Sequence, residues 1–345
     1  MRSRNGSAAI DDVLDGALGK RFTGAVARVE RGGRLMYERA LGSTRLDAPA
    51  FPVYVDTCFD LASLTKLYVA TAALDLVARG MVTLDTPLTA YLPEWSDDDH
   101  APITMRMLLS HTSGMDSGAD YRLLLDSRVT DFALRRPLVA QPGERVIYSD
   151  LGLIALGVAI ERISGRALPA AVAAATSSNA TFNPPRNERA AIPATEEDGW
   201  RGRVQGSVHD EKAHLMCGVG GHAGLFGSAA DVARLTEIYL SAACGRTGRV
   251  LPPSLARDAI DCVADDPVLR RGLGWALKTT DENSCGAKFG PRSFGHTGFT
   301  GTCVWADPDC DLQAVLLTNA VYFGREDSRP LRVAFYDAVI ETFGR

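Results

Sequence analysis

The chain has 345 residues, 46% of them hydrophobic and 23% charged, the balance of an ordinary soluble globular protein with ample material for a core. Its formal net charge of −5 and scattered basic residues argue against nucleic acid or an anionic membrane as partner. No run reaches the roughly 18–20 apolar residues of a membrane span, and the seven cysteines form no CxxC pair or metal-ligand cluster, the pattern of reduced thiols in a cytoplasmic protein.

Residues 1–18 lack the apolar core of a secretory signal, which agrees with a cytoplasmic location, although a trimmed export signal would leave the same sequence. Residues 8–20 read as an amphipathic helix. Two alternating runs follow, 22–30 and 34–41, joined by Arg31-Gly32-Gly33 as a hairpin turn. A turn region rich in proline and aspartate leads to residues 60–80. That stretch is apolar almost all round from Leu64 to Ala78, as a buried helix is, and it stops at Arg79-Gly80.

Ser63 stands where this helix begins, with Lys66 one turn further on the same face. As a structural feature Ser63 is an N-cap. A capping box, however, calls for Glu or Gln at the lysine's position, and the helix dipole favours an acid there. Burial at the positive end of a helix is expected to lower the Lys66 pKa toward neutrality, making it a base for a hydroxyl one turn away. No other serine in the chain has a lysine three residues later.

From Met81 to about Gly206 the apolar residues recur at helical spacing. Helices are expected over 105–110, 121–135, 151–164 and 168–175. Residues 177–206 are aperiodic, proline-containing and charged, as a functional rim or a mobile segment is. Helices at 229–243 and 253–263 are followed by strands at 272–279, 293–296, 302–306 and 312–318. A helix over 329–343 closes the chain. Strands from both ends then build one antiparallel sheet flanked by helices, an α/β (α+β) domain of residues 1–80 plus 211–345. Residues 81–210 form an inserted, mostly helical domain, with a cleft between the two.

Two further stretches carry chemistry-bearing side chains. Tyr148-Ser149-Asp150 precedes the apolar helix LGLIALGVAI. Ser149 and Asp150 suit its cap, but a tyrosine before the cap has no capping role. Phe294-Gly295-His296-Thr297-Gly298 ends one short strand, its glycines leaving the sheet edge open to a close approach by substrate.

Ser63-Leu64-Thr65-Lys66, Tyr148-Ser149-Asp150 and His296-Thr297-Gly298, in that order, resemble the three motifs of the β-lactamase and penicillin-binding-protein superfamily. Leu108 to Gly114 (LLSHTSG), Gln141-Pro142-Gly143, Gly220 to Phe226 and Leu316-Leu317-Thr318-Asn319 are similar to phrases of its class C-like branch. That branch includes esterases, D-aminopeptidases and DD-carboxypeptidases, and the likeness covers about residues 10 to 345. The resemblance implies a β-lactamase/transpeptidase-like fold and a serine hydrolase with Ser63 as acylated nucleophile. Lys66 then takes or relays its proton, Tyr148 completes the relay, and the backbone N–H groups of Ser63 and Phe299 form the oxyanion hole.

Two positions depart from the common pattern. Asp150 stands where relatives often have asparagine, so it either supports a protonated Lys66 or caps its helix. His296 stands where many relatives have a lysine that attracts the substrate carboxylate. A histidine, mostly neutral at pH 7, favours uncharged esters or amides over efficient β-lactam hydrolysis. Substrate contacts are expected from Asp150, His296, Thr297, Gly298 and Trp200, the last on a loop placed to close over an acyl group. No cofactor and no metal is expected: His209 and His214 do not have a usual zinc spacing, and no phosphate loop follows a strand. His111 is read as a structural histidine, Cys217 as a small buried thiol, and His222 as a residue whose backbone matters more than its ring.

The expected activity is esterase-like hydrolysis of a small ester, amide or peptide through a Ser63 acyl-enzyme. A DD-carboxypeptidase, D-aminopeptidase or weak β-lactamase, an acyltransferase using the same intermediate, and a non-catalytic scaffold are the alternatives. The scaffold is disfavoured because Ser63, Lys66 and Tyr148 are all present. The sequence does not set the oligomeric state.

Overall fold

A computed structural model describes residues 7–118, 120–125, 127–246, 250–279 and 283–344. Helix α1 (Ala8–Ala17) leads into β1 (Gly24–Arg31) and β2 (Arg34–Gly42), joined by Gly32 and Gly33 with φ of +57° and +68°, a left-handed pair that closes the hairpin. Helix α2 (Thr65–Ala78), α3 (Asp150–Ser164), α4 (Leu168–Thr176) and α5 (Ala229–Ala243) precede β3 (Ala276–Leu277), β4 (Phe294–Thr297), β5 (Cys303–Asp307) and β6 (Leu312–Thr318), and α6 (Arg329–Phe343) ends the chain.

The six strands form one antiparallel sheet in the order β2-β1-β6-β5-β4-β3. Its centre pairs the first strand with the last, Ala25 opposite Thr318 through Arg31 opposite Leu312. Both faces are covered, and the period-2 geometry of a strand sorts the side chains between two cores. Ala25, Ala27, Val29, Trp305 and Leu316 pack with α1 and α6. Val26, Val304, Val315 and Leu317 face the opposite core, which continues through α5 and α2 into the helical residues of α3 and α4. Helix α2 lies at the centre of that larger core, with Leu64 to Leu74 buried throughout. Among the described residues no helix is long and apolar enough to cross a membrane.

Two expected elements differ. The helix expected over 121–135 is a short 3₁₀ turn, Tyr121–Leu124, and a separate helix, Val129–Arg135, because Arg128 between them is extended (φ −79°, ψ 117°). The strand expected over 272–279 shrinks to Ala276–Leu277. Its first residues form a turn with Gly274 at φ +85°, and the N–H groups of Leu273 and Gly274 donate to Ala259 and Leu109 rather than to a strand. The stretch 177–206 is aperiodic as expected, but it is pinned. Asn319 Nδ2 donates to the Ala194 carbonyl at 2.7 Å, and Arg325 clamps Glu196.

Candidate active site

Ser63 lies in a 3₁₀ turn, Ala62–Leu64, just before α2. Asp60 shapes that turn from below. Its buried carboxylate accepts from Ala62 N (2.9 Å) and His209 N (2.6 Å), and Ala62 adopts φ +46°, a strained conformation for a residue with a Cβ. Burial pushes the Asp60 pKa up, while those two amides oppose the shift. The helix start has no side-chain cap, so the N-cap reading of Ser63 fails. Its Oγ instead accepts a hydrogen bond from Lys66 Nζ at 2.9 Å.

Lys66 is 1% exposed, and its ammonium has three partners: Ser63 Oγ, the His222 carbonyl at 3.0 Å and Asp150 Oδ1 at 2.9 Å. Burial pushes its pKa down, but the Asp150 carboxylate and Tyr148 more than reverse that, so the pKa lies above the ordinary lysine value. The expected fall toward neutrality is therefore wrong. A lysine with all three N–H groups engaged is a donor to the serine oxygen, not a base waiting for its proton.

Asp150 explains this. Ser149 is the N-cap of α3, its Oγ accepting from Gly152 N at 2.8 Å, which leaves the Asp150 carboxylate free to point at the lysine. Its second oxygen meets Lys212 Nζ at 3.2 Å. Burial raises the Asp150 pKa, and Lys66, His222 and Lys212 together bring it below the ordinary value. Lys212 lies on the short helix Glu211–Leu215, capped by Asp210, whose carboxylate also holds the His222 ring at 2.8 Å. The His222 ring is thus anchored while its carbonyl holds Lys66, in line with the backbone role expected of it.

Tyr148 reaches the same cleft. Its ring packs on His111 (centroids 4.7 Å apart), with Lys66 Nζ 4.9 Å and Arg271 Cζ 5.4 Å from the ring centroid. His111 is structural: Nδ1 accepts from Ser149 N at 3.1 Å, and its carbonyl accepts from Ile147 N at 2.8 Å, fixing the chain on both sides of the tyrosine. Burial, then Arg271 and Lys66, keep the His111 pKa well below the usual range.

The third stretch closes over Ser63. Thr300 Oγ1 donates to the Asp60 carbonyl (2.8 Å) and Thr302 Oγ1 to the Leu61 carbonyl (3.1 Å), tying the turn after β4 to the segment that presents Ser63. A Cβ on Gly298 would lie 2.1 Å from Thr302 Oγ1 and 2.7 Å from the Leu61 carbonyl. One on Gly295 would strike the Trp305 ring at 2.4 Å. These glycines thus admit the protein's own chain, and Gly298 also lines the cleft. His296 is buried, Nδ1–H donates to the Thr297 carbonyl at 2.9 Å, and burial, then Arg271 and Lys66, hold its pKa well below the usual range. The imidazole is neutral at pH 7.

Ser63, Tyr148, Thr297, Gly298 and Phe299 line one cleft of about 410 Å³, together with Arg325 and Arg332. Arg332 Nη2 donates to the Gly298 carbonyl at 2.7 Å. The Phe299 ring, 54% exposed, stacks on His209 (5.6 Å) and lies under Arg325 (5.5 Å). Glu196 binds both, with His209 Nε2 at 3.1 Å. Trp200 stands apart from this cleft, stacked on Tyr121 at 4.5 Å and edge-on to His214 at 5.2 Å. Cys217, expected to be buried, is exposed at φ +57° after the helix Glu211–Leu215. Asp60, Glu196 and Arg271 carry no motif, and only contact in three dimensions identifies them. Asp210 and Lys212 lie in the His209–His214 segment, whose charge density was the available signal.

The family model described as Beta-lactamase matches residues 10–338. Esterase EstB of Burkholderia gladioli is 33% identical over 96% of this chain and 95% of its own length. The N-acetylmuramyl-L-alanine amidase of Bacillus subtilis (strain 168) is 30% identical over 90% of this chain and 80% of its own. Among solved structures, EstCE1, a hydrolase with promiscuous acyltransferase activity, superposes with a TM-score of 0.76 at 23% identity, covering 96% of this chain and 98% of that one.

Proposed function

The chain belongs to the beta-lactamase family of serine hydrolases, and from that premise we propose that it hydrolyses small carboxylic esters or amides through an acyl-enzyme on Ser63. The observation that carries the proposal is the contact of Lys66 Nζ with Ser63 Oγ at 2.9 Å inside a cleft that Tyr148 also lines. Lys66, held as an ammonium by Asp150, orients the serine oxygen and offsets the negative charge that develops on it. Tyr148, reacting as the phenolate, then takes the hydroxyl proton as the serine oxygen attacks the carbonyl and returns it to the leaving group as the bond from the carbonyl carbon to that group breaks, with Lys66 placing positive charge against its ring. The backbone N–H groups of Ser63 and Phe299 receive the oxyanion, a role in which one donor is worth about 10²–10³ in rate. In the second half-reaction water attacks the acyl carbon, Tyr148 takes its proton, and the bond to Ser63 Oγ breaks as Tyr148 returns that proton to the serine oxygen.

Neutral His296 favours uncharged acyl groups, and the names of two relatives, an esterase and an amidase, support ester or amide hydrolysis as the reaction. The same intermediate serves an acyltransferase when an alcohol or amine replaces water. The test is turnover of 4-nitrophenyl acetate and butyrate beside nitrocefin. Ester hydrolysis that falls at least a thousandfold in Ser63→Ala supports the proposal; full activity in that variant removes it.

A further inference from the structure

Arg332, near the start of α6, lines the Ser63 cleft, and its Nη2 donates to the Gly298 carbonyl at 2.7 Å. That carbonyl also accepts from Gly301 N at 3.2 Å, while Gly298 N donates to the Thr302 carbonyl at 2.7 Å. The other half of the same peptide unit is the Phe299 N–H, which has no hydrogen-bond partner among the described residues. The Phe299 ring is held separately, stacked on His209 and under Arg325. Arg332 therefore acts on the peptide that precedes Phe299 and not on its side chain.

A peptide unit is planar and trans, so its carbonyl and N–H point in opposite directions, and turning one turns the other. The unit that follows a glycine is the easiest to turn, because without a Cβ the backbone of that residue is weakly restricted. A hydrogen bond from a cation to the carbonyl has two effects on such a unit. It is short and strong, so it fixes the plane and with it the aim of the N–H. It also draws electron density toward the carbonyl oxygen, which makes the N–H at the other end a better donor. The longer bond from the neutral Gly301 amide supplies less of both.

We infer that Arg332 is a positioning residue for the oxyanion hole: by holding the Gly298 carbonyl it aims and strengthens the Phe299 N–H. The inference rests on the acyl-enzyme reading, which gives that N–H an oxyanion to receive. The benefit grows as negative charge moves onto the oxygen, so it raises the rate of the chemical step more than it tightens substrate binding. It needs no contact between the guanidinium and the substrate, and it therefore serves an uncharged ester as well as any other.

The test measures turnover of 4-nitrophenyl acetate, inhibition by phenylboronic acid and Tm in the wild-type protein, Arg332→Met and Arg332→Lys. Ser63 Oγ adds to the boron as its proton leaves, and the resulting tetrahedral boronate anion reports on the oxyanion hole. In Arg332→Met, kcat should fall about 10–100-fold, short of the 10²–10³ that follows deletion of a donor. The inhibition constant for phenylboronic acid should rise at least tenfold. Both half-reactions pass through an oxyanion, so KM should change less than threefold. Arg332→Lys, which keeps a cationic donor, should lie between the two. A kcat and a boronate inhibition constant both within threefold of the wild type, whatever the change in Tm, make Arg332 only a tie between α6 and the sheet. That result overturns the inference while the acyl-enzyme reading stands. Should Arg332→Met not fold, Arg332→Gln is measured against the same limits. If the wild type turns over no ester and Ser63→Ala leaves boronate binding unchanged, the acyl-enzyme reading fails and the inference falls with it.

Discussion

Replacing Asp150 by asparagine tests the charge arrangement on which the site depends. Asp150 holds two ammonium groups, Lys66 at 2.9 Å and Lys212 at 3.2 Å, with Lys66 almost fully buried. Removing one partner of a buried ion pair costs about 3–5 kcal/mol. Asparagine keeps the shape and one carbonyl acceptor, so the lower end applies, about 3 kcal/mol. At roughly 2 °C per kcal/mol for a chain of this size, Tm should fall by about 6 °C at pH 7. The pH dependence fixes the cause. In the wild type the raised Lys66 pKa gives a stabilisation that is complete below the ordinary lysine value and lost only as pH rises past it. The lowered Asp150 pKa gives one that is present above the ordinary carboxylate value and lost as pH falls below it. In Asp150→Asn the Tyr148 contribution stays but the carboxylate is lost, so burial weighs more heavily on Lys66, and the variant should gain stability relative to the wild type as pH rises from 7 to 10 and the gap should narrow. Thermal denaturation at pH 7, 8, 9 and 10 reads both effects. A variant within 1 °C of the wild type at pH 7, or a gap constant to pH 10, refutes the reasoning.

Two more outcomes follow from the same geometry. His111 and His296 are buried with lowered pKa values, so the unfolded chain binds protons below about pH 6.5 that the folded chain does not. Stability should fall between pH 6.5 and 5 by up to about 2.7 kcal/mol per pH unit, the slope for two protons, and His296→Gln should roughly halve it in denaturant melts. Gly298→Ala places a Cβ 2.1 Å from Thr302 Oγ1, forcing apart the turn and the Ser63 segment. kcat/KM for 4-nitrophenyl acetate should drop about 100-fold, the effect of an ångström-scale misplacement; a loss under threefold contradicts the positioning role given to that glycine.

Much of the fold is legible in the sequence because its signals are local. The hairpin turn at Gly32-Gly33, the apolar run of α2 and the terminal helix at 329–343 each declare themselves within one window, and the two ends pair because β1 and β6 are both buried strands. The Ser63–Lys66 pairing follows from helical spacing alone. The charge state of Lys66 does not, since a carboxylate 84 residues away in sequence sets it. Spacing cannot reveal that Asp150 turns toward the lysine, because Ser149 beside it satisfies the helix cap. The short strand at Ala276–Leu277 was overestimated for a similar reason: its neighbours' N–H groups go to distant helices. Arg271 was invisible because an arginine in sequence carries no sign of its burial.

The most direct test of the central claim is intact-protein and peptide mass spectrometry after a neutral fluorophosphonate ester. The account predicts a single adduct on Ser63, formed much more slowly in Tyr148→Phe and absent in Ser63→Ala. An adduct on another residue, or labelling that survives in Ser63→Ala, contradicts it.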